Sequence, residues 1–238
     1  MRIGTAGWTI PREFTDVAAG EGTHLQRYSR AFTCAEINSS FHRSHRESTW
    51  QRWAESVPDG FLFSVKAPKQ FTHVDGLSVK RDDMQRFLGE AGTLGNRLGP
   101  LLFQLPPKLA FDRRIADRLF TTLRKLFNGP VVLEPRHPSW FTPDVESRLA
   151  SFLVSRVAAD PAVVPEAALP RASADLVYYR LHGSPRKYYS SYSDEYLSQL
   201  AATLYSRKER EVWCIFDNTA SGAAFGNAVN LERLLRKL

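Results

Sequence analysis

Short runs of β-branched, aromatic and aliphatic residues recur along the chain. Each ends in polar residues and is followed by a turn and then, in most cases, by an amphipathic stretch. The runs are Arg2–Gly7, Cys34–Asn38, Phe61–Lys66, Pro100–Leu105, Val131–Glu134, Arg156–Asp160, Val177–His182 and Val212–Asp217. They predict eight strands whose starts lie roughly 20 to 40 residues apart, as in strand–helix units joined by right-handed crossovers.

The clearest helix between them is Ile115–Phe127. Ile115, Leu119, Leu123 and Leu126 share one face, Arg114, Arg118, Arg124 and Lys125 face away, and Asn128-Gly129-Pro130 stops it. Glu47–Ser56, Pro143–Leu153, Asp194–Leu204 and Asn227–Lys237 also read as helices, as do His24–Phe32 and Asp82–Leu94. Pro161–Ala174 carries Pro161, Pro165 and Pro170 and is expected to be irregular, because proline breaks a helix interior. No Gly-x-Gly-x-x-Gly follows the first strand and no phosphate-loop motif appears. The expectation is therefore an α/β fold of the TIM type, a closed (βα)8 barrel forming one domain over residues 1–238, with an irregular segment after strand six.

Strand alternation then places the chemistry. Every second residue of a strand faces the same side, and the polar member comes last on its face in most runs. At the C-terminal strand ends, where barrel enzymes keep their sites, Glu36, Lys66, Glu134, Arg136, Asp160, Arg180, His182 and Asp217 are expected to converge. Glu36, Glu134, Asp160, His182 and Asp217 are the candidate catalytic acid–base groups. Lys66, Arg136 and Arg180 are candidate anion binders, Asn38, Gln104 and Asn218 candidate hydrogen-bonding groups, and Trp8, which follows Gly7 at the end of the first strand, a further candidate for substrate binding. A structural ion-pair network plugging the mouth would gather the same charges, although an apolar plug would be less costly to bury. Were a metal held there, a carboxylate set with one histidine would suit magnesium or manganese; the three cations at the same rim would neutralise the carboxylates without it.

Composition adds limits. The chain is 43% hydrophobic and 24% charged, which is ordinary for a globular protein. No apolar run is long enough to span a membrane, and Met1–Gly7 lacks a signal-peptide pattern, so the expected location is the cytoplasm. Cys34 and Cys214 sit in apolar runs and read as small buried hydrophobes. The formal charge of +7 favours anionic partners, nucleic acid or phosphorylated metabolites, although much of the excess lies on helix faces. His42, His45 and His73 fall in loops and read as surface histidines. Tyr188, Tyr189 and Tyr192, beside Arg186 and Lys187, make an aromatic-rich loop that reads as a lid or, less readily, as a base-stacking platform.

The strand-end motifs resemble the YecE-like family, the domain of unknown function 72. The resemblance rests on Gly4-Thr5-Ala6-Gly7-Trp8, Glu36-Ile37-Asn38-Ser39-Ser40-Phe41, Phe63-Ser64-Val65-Lys66-Ala67-Pro68 and Phe103-Gln104-Leu105-Pro106-Pro107. It continues through Glu134-Pro135-Arg136-His137-Pro138-Ser139-Trp140, Tyr179-Arg180-Leu181-His182-Gly183, Tyr189-Ser190-Ser191-Tyr192-Ser193 and Phe216-Asp217-Asn218-Thr219. It covers nearly the whole chain in order, implies a TIM barrel, and brings no mechanism with it. Pro135 and His42 depart from the family pattern, and Pro135 bears on where Arg136 points. Three functional readings stay open: an enzyme acting on an anionic, phosphate-bearing substrate by acid–base or metal-assisted chemistry; a nucleic-acid-binding protein or nuclease with a basic mouth; and a non-catalytic metabolite-binding barrel.

Overall fold

In the computed structural model, residues 1–238 are described except Ala172, Ala174 and Arg210. The two alanines fall in or beside the expected irregular stretch Pro161–Ala174 and lie outside the described residues. Nine strands alternate with seven α-helices among the described residues: β1 (Arg2–Thr5), α1 (His24–Ala31), β2 (Cys34–Ile37), α2 (Glu47–Glu55), β3 (Leu62–Lys66), α3 (Arg81–Gly92), β4 (Leu98–Gln104), α4 (Arg113–Leu126), β5 (Val131–Glu134), α5 (Pro143–Ser151), β6 (Val154–Arg156), β7 (Ala158–Asp160), β8 (Leu176–Leu181), α6 (Asp194–Tyr205), β9 (Glu211–Phe216) and α7 (Ala223–Leu235). Side-chain caps start several helices: Thr23 and Gln26 form a reciprocal capping box on α1, Asp112 accepts from Ile115 N at 3.0 Å on α4, and Ser193 accepts from Tyr196 N at 3.2 Å on α6.

The strands do not form the single closed barrel expected from the sequence. They make two parallel sheets, one ordered β1-β9-β8-β7 and the other β2-β3-β4-β5-β6. Between β1 and β2 the ladder is reduced to one bridge, Ala6 with Glu36. The cause is a tyrosine: Tyr28 Oη accepts from Thr5 N at 2.8 Å and donates to Cys34 O at 3.1 Å, so a hydroxyl stands where strand pairing would run. Gly4 permits this approach, since a Cβ there would lie 2.3 Å from Cys34 O.

The second break falls in the expected sixth strand, Arg156–Asp160. Its pairing changes partner at Val157: up to Arg156 it pairs with β5, with Val157 N still donating to Leu133 O at 2.9 Å, and Ala158–Asp160 pair with β8. The preceding Arg156 exchanges both backbone bonds with Arg171, at 2.9 and 3.1 Å, so the returning segment takes the groups that a neighbouring strand would use.

Two apolar layers result. Residues from both sheets, among them Cys34, Leu102, Val132, Tyr178, Trp213 and Ile215, pack together inside, with Tyr178 and Trp213 stacked at 5.9 Å. The larger layer lies between the sheets and the helices. Both cysteines are buried and free. No helix among the described residues is long and apolar enough to cross a membrane. Because the space at Gly4 is already filled by backbone, Gly4→Ala is expected to destabilise the fold by about 1–3 kcal/mol, read from the urea midpoint, as overpacking does; an unchanged midpoint would show that β1 and β2 can part there at no cost.

Candidate functional site

Arg180 points from β8 into the space between the sheets and is fully buried. Its Nη2 lies 2.8 Å from Glu36 Oε1 and its Nε 3.0 Å from Oε2, a two-pronged pairing with the end of β2. Its Nη1 reaches Glu134 Oε2 of β5 at 3.1 Å, and Nη2 also reaches Asp217 Oδ2, just beyond β9, at 2.9 Å. Tyr178, two residues earlier on the same face, places its hydroxyl 3.0 Å from both Glu36 Oε2 and Ser64 Oγ. Burial, and then the neighbouring Glu36 charge, push the Tyr178 phenol well above its ordinary value, so it stays protonated.

His182 follows Arg180 on that face and is also fully buried. Its Nε2 is 2.9 Å from Glu134 Oε1 and its Nδ1 2.9 Å from Asp217 Oδ2. Both contacts are hydrogen bonds only when each ring nitrogen carries a proton. Arg136 closes the top, with Nη2 2.9 Å from Glu134 Oε1 and Nη1 3.4 Å from Tyr188 Oη. Pro135 thus leaves Arg136 aimed inward. Burial opposes ionisation of Glu134, but His182, Arg136 and Arg180 outweigh it and hold this carboxyl well below the usual range. The same contest, won mainly by Arg180 and His182, lowers Asp217.

Lys66 is treated differently. It is 6% exposed, forms no ion pair among the described residues, and holds its Nζ 4.2 Å from the Phe41 ring centroid. Burial, and then the Arg180 charge, push its amine down to about 8. Lys66 borders a cavity of about 500 Å³ with Asn38, Gln104, Arg136, Asp217 and Tyr188. His42 and His73, read from the sequence as surface residues, line it too. Burial, followed by Lys66 and Arg136, lowers the His73 imidazole below its ordinary value. Loop residues of this kind have no strand periodicity to betray their direction, and only their closeness in sequence to Phe41 and Lys66 hinted at their position.

Three candidates stand apart from the cluster. Asp160 accepts from Tyr192 Oη at 2.8 Å, on the outer side of its strand, because the alternation there runs in the opposite phase to the one expected: Val154 and Ala158 face the outer layer and Val157 the inner. Trp8 packs edge-on against Trp53 at 5.3 Å and Phe63 at 6.1 Å, turned away from the cavity after Gly7 at φ +77°. Asn218 donates to Ser190 O and Asn227 Oδ1, both at 2.8 Å, and so ties the 183–193 loop to α7.

Among the described residues no group of three or more His, Cys, Asp or Glu is arranged to hold a metal ion. The donor chemistry agrees: the carboxylates of Glu36, Glu134 and Asp217 are already engaged by Arg180, Arg136 and His182. The magnesium or manganese expectation therefore finds no fitting donor set at this cluster.

Fold and site define an α/β protein with two facing parallel sheets and a charged cluster under a polar cavity at their carboxyl ends. The chain belongs to the DUF72 family, whose model, described as a protein of unknown function, matches residues 2–238. It is 22% identical over 264 residues to the UPF0759 protein YunF of Bacillus subtilis, covering 98% of this chain and 94% of that protein. It is 32% identical over 149 residues to the UPF0759 protein YecE of Escherichia coli, covering 61% of this chain and 52% of that one. Two solved DUF72 proteins share the fold. One, from Thermotoga maritima, has a TM-score of 0.81 and 24% identity over 98% of each chain. One from Enterococcus faecalis has a TM-score of 0.78 and 18% identity over 99% of this chain and 95% of that one.

The cluster gives two expectations. Glu36→Gln leaves Arg180 buried with its closest partner neutralised, and the loss should be about 3–5 kcal/mol in chemical denaturation, whereas Arg86→Ala, which removes an exposed pair with Asp83, should cost less than about 1 kcal/mol. Equal effects would mean that the cluster is no more strongly coupled than a surface pair. Second, Glu134 and Asp217 titrate below their unfolded values near 4. Their stabilisation is present above that pH and lost as pH falls through the folded values. The urea midpoint should hold between pH 7 and 5 and then fall, with a shallower acid slope in Glu134→Gln.

Proposed function

We propose that the protein binds a small phosphate-bearing molecule in this cavity and performs acid–base chemistry on it. The observation that carries this reading is the Lys66 ammonium, buried at the cavity wall without an ion-pair partner among the described residues, beside carboxylates whose hydrogen bonds go to Arg180, Arg136 and His182. A buried cation without a partner is costly, and an anion entering the cavity supplies one. Asp217, kept ionised by Arg180 and His182, borders the same space as a carboxylate able to accept a proton from the ligand. Arg136 completes a rim able to donate hydrogen bonds to phosphate oxygens.

A second reading, nucleic acid lying across the mouth, draws support from Arg186, Lys187 and the half-exposed Tyr188 and Tyr189 beside the cavity. It predicts affinity that falls steeply with salt, whereas a buried Lys66–phosphate contact is screened less.

The test is thermal unfolding with propyl phosphate. At about 100 Kd a ligand adds about 2.7 kcal/mol, or roughly 5–10 °C for a domain of this size. Lys66→Met should abolish the shift. Binding should weaken as pH rises through about 8, where Lys66 loses its proton, and this dependence should vanish in the variant. A shift retained in Lys66→Met would remove the proposal. Stabilisation without turnover of any phosphate ester would leave a binding protein in place of an enzyme.

A further inference from the structure

The cavity offers more than a positive charge. Asn38 Oδ1 is buried and has no hydrogen-bond partner among the described residues, although Asn38 lines the cavity. Gln104, only 6% exposed, also lines it and has no side-chain partner among the described residues. A buried acceptor left without a donor is unfavourable. A phosphate dianion cannot relieve it, because it has only acceptors to offer. A partner carrying O–H or N–H groups close to its anionic end would relieve it.

The rings around the cavity narrow the choice. Phe41 has the Lys66 ammonium on one face at 4.2 Å, and Tyr189 has the Arg186 guanidinium at 3.9 Å. Tyr188 has the Lys187 ammonium at 5.9 Å and meets His182 edge-on. Phe41 meets His42 and His73 nearly at right angles, at 89° and 82°. A flat base needs an open, roughly parallel ring face to stack on, and a cation already stands over one face of Phe41, Tyr188 and Tyr189. Sugar hydroxyls need no such platform, since each both donates and accepts. A cavity of about 500 Å³ also exceeds what one inorganic anion fills.

We infer that the ligand is a polyhydroxylated phosphate monoester of pentose or hexose size, its phosphate on Lys66 and its hydroxyls on Asn38 and Gln104. This rests on the phosphate-binding reading above and names the substrate class. Asn38 and Gln104 then set specificity: they separate a sugar phosphate from a simple alkyl phosphate with the same charge.

Isothermal titration calorimetry on the intact chain tests this with propyl phosphate, ribose 5-phosphate, glucose 6-phosphate and adenosine 5′-monophosphate. At least one of the two sugar phosphates should bind about tenfold more tightly than propyl phosphate, as one or two hydrogen bonds imply. Gln104→Leu and Asn38→Leu should each remove most of that advantage and leave propyl phosphate affinity unchanged. Gln104→Leu alone decides the matter where Asn38→Leu fails to fold. Equal affinity for propyl phosphate and both sugar phosphates, or an equal loss for all of them in the variants, overturns the inference and leaves the phosphate site standing. Tighter binding of the nucleotide than of either sugar phosphate, unaffected by both variants, overturns it in favour of base stacking. No binding of any ester sinks the phosphate reading itself.

Discussion

A guanidinium sealed between two sheets sets the terms for the rest of the molecule. Arg180 belongs to the sheet of β1, β9, β8 and β7, while Glu36 and Glu134 belong to the other. With pairing between β1 and β2 reduced to one bridge and a change of pairing partner at Val157, these ion pairs add to the few backbone hydrogen bonds that join the sheets. Removing a guanidinium and its carboxylates from water is expensive, and their attraction offsets that only with good geometry and few leftover lone pairs. The cluster meets that condition closely: Glu36 is also met by Tyr178, and Glu134 by His182 and Arg136. Well-packed apolar residues would join the sheets at lower cost, so cohesion alone does not explain why charges stand here.

The arrangement also explains Lys66. Glu36, Glu134 and Asp217 are shared among Arg180, Arg136 and His182, and the lysine at the end of β3 is left beside them without a carboxylate of its own. Its amine feels burial and the Arg180 charge together, and the nearby carboxylates offset only part of this. The charge that the cluster does not absorb is turned toward the cavity. A protein selected only for stability would pair that lysine or replace it. On the proposed binding reading, retaining it alongside an Asn38 acceptor with no partner among the described residues is what a binding site costs.

Alternation along the strands was enough to find most of this. In β2, β3, β5, β8 and β9 every second residue keeps its face to the end, so Glu36, Lys66, Glu134, Arg180 and Asp217 could be read off as neighbours in space though far apart in sequence. The failures occur where the phase is unmarked or periodicity is lost. Before Asp160 the alternation holds, but composition does not mark its phase, since Val157 and Ala158 fit either face. Trp8 lies past a glycine with φ +77°, after which strand parity no longer applies. Closure of the barrel failed for a related reason. Strand count and crossover spacing limit how many strands there are, but whether the last ladder forms depends on single side chains such as Tyr28 and on what Arg171 does with the backbone of Arg156.

The two seams and the site are physically connected. A ladder between β1 and β2 would hold the ends of both strands in fixed register by repeated backbone bonds. One bridge and a tyrosine hydroxyl hold them instead, and the carboxylate beyond the seam, Glu36, is positioned by Arg180 and Tyr178 from the opposite sheet. The geometry of the cavity floor is therefore set by side-chain charges more than by strand pairing. Any ligand that draws on Lys66 or Asp217 acts on the same groups that keep the sheets together. Binding and cohesion at this end of the molecule are thus one electrostatic system, and a change in charge at any member is felt by both.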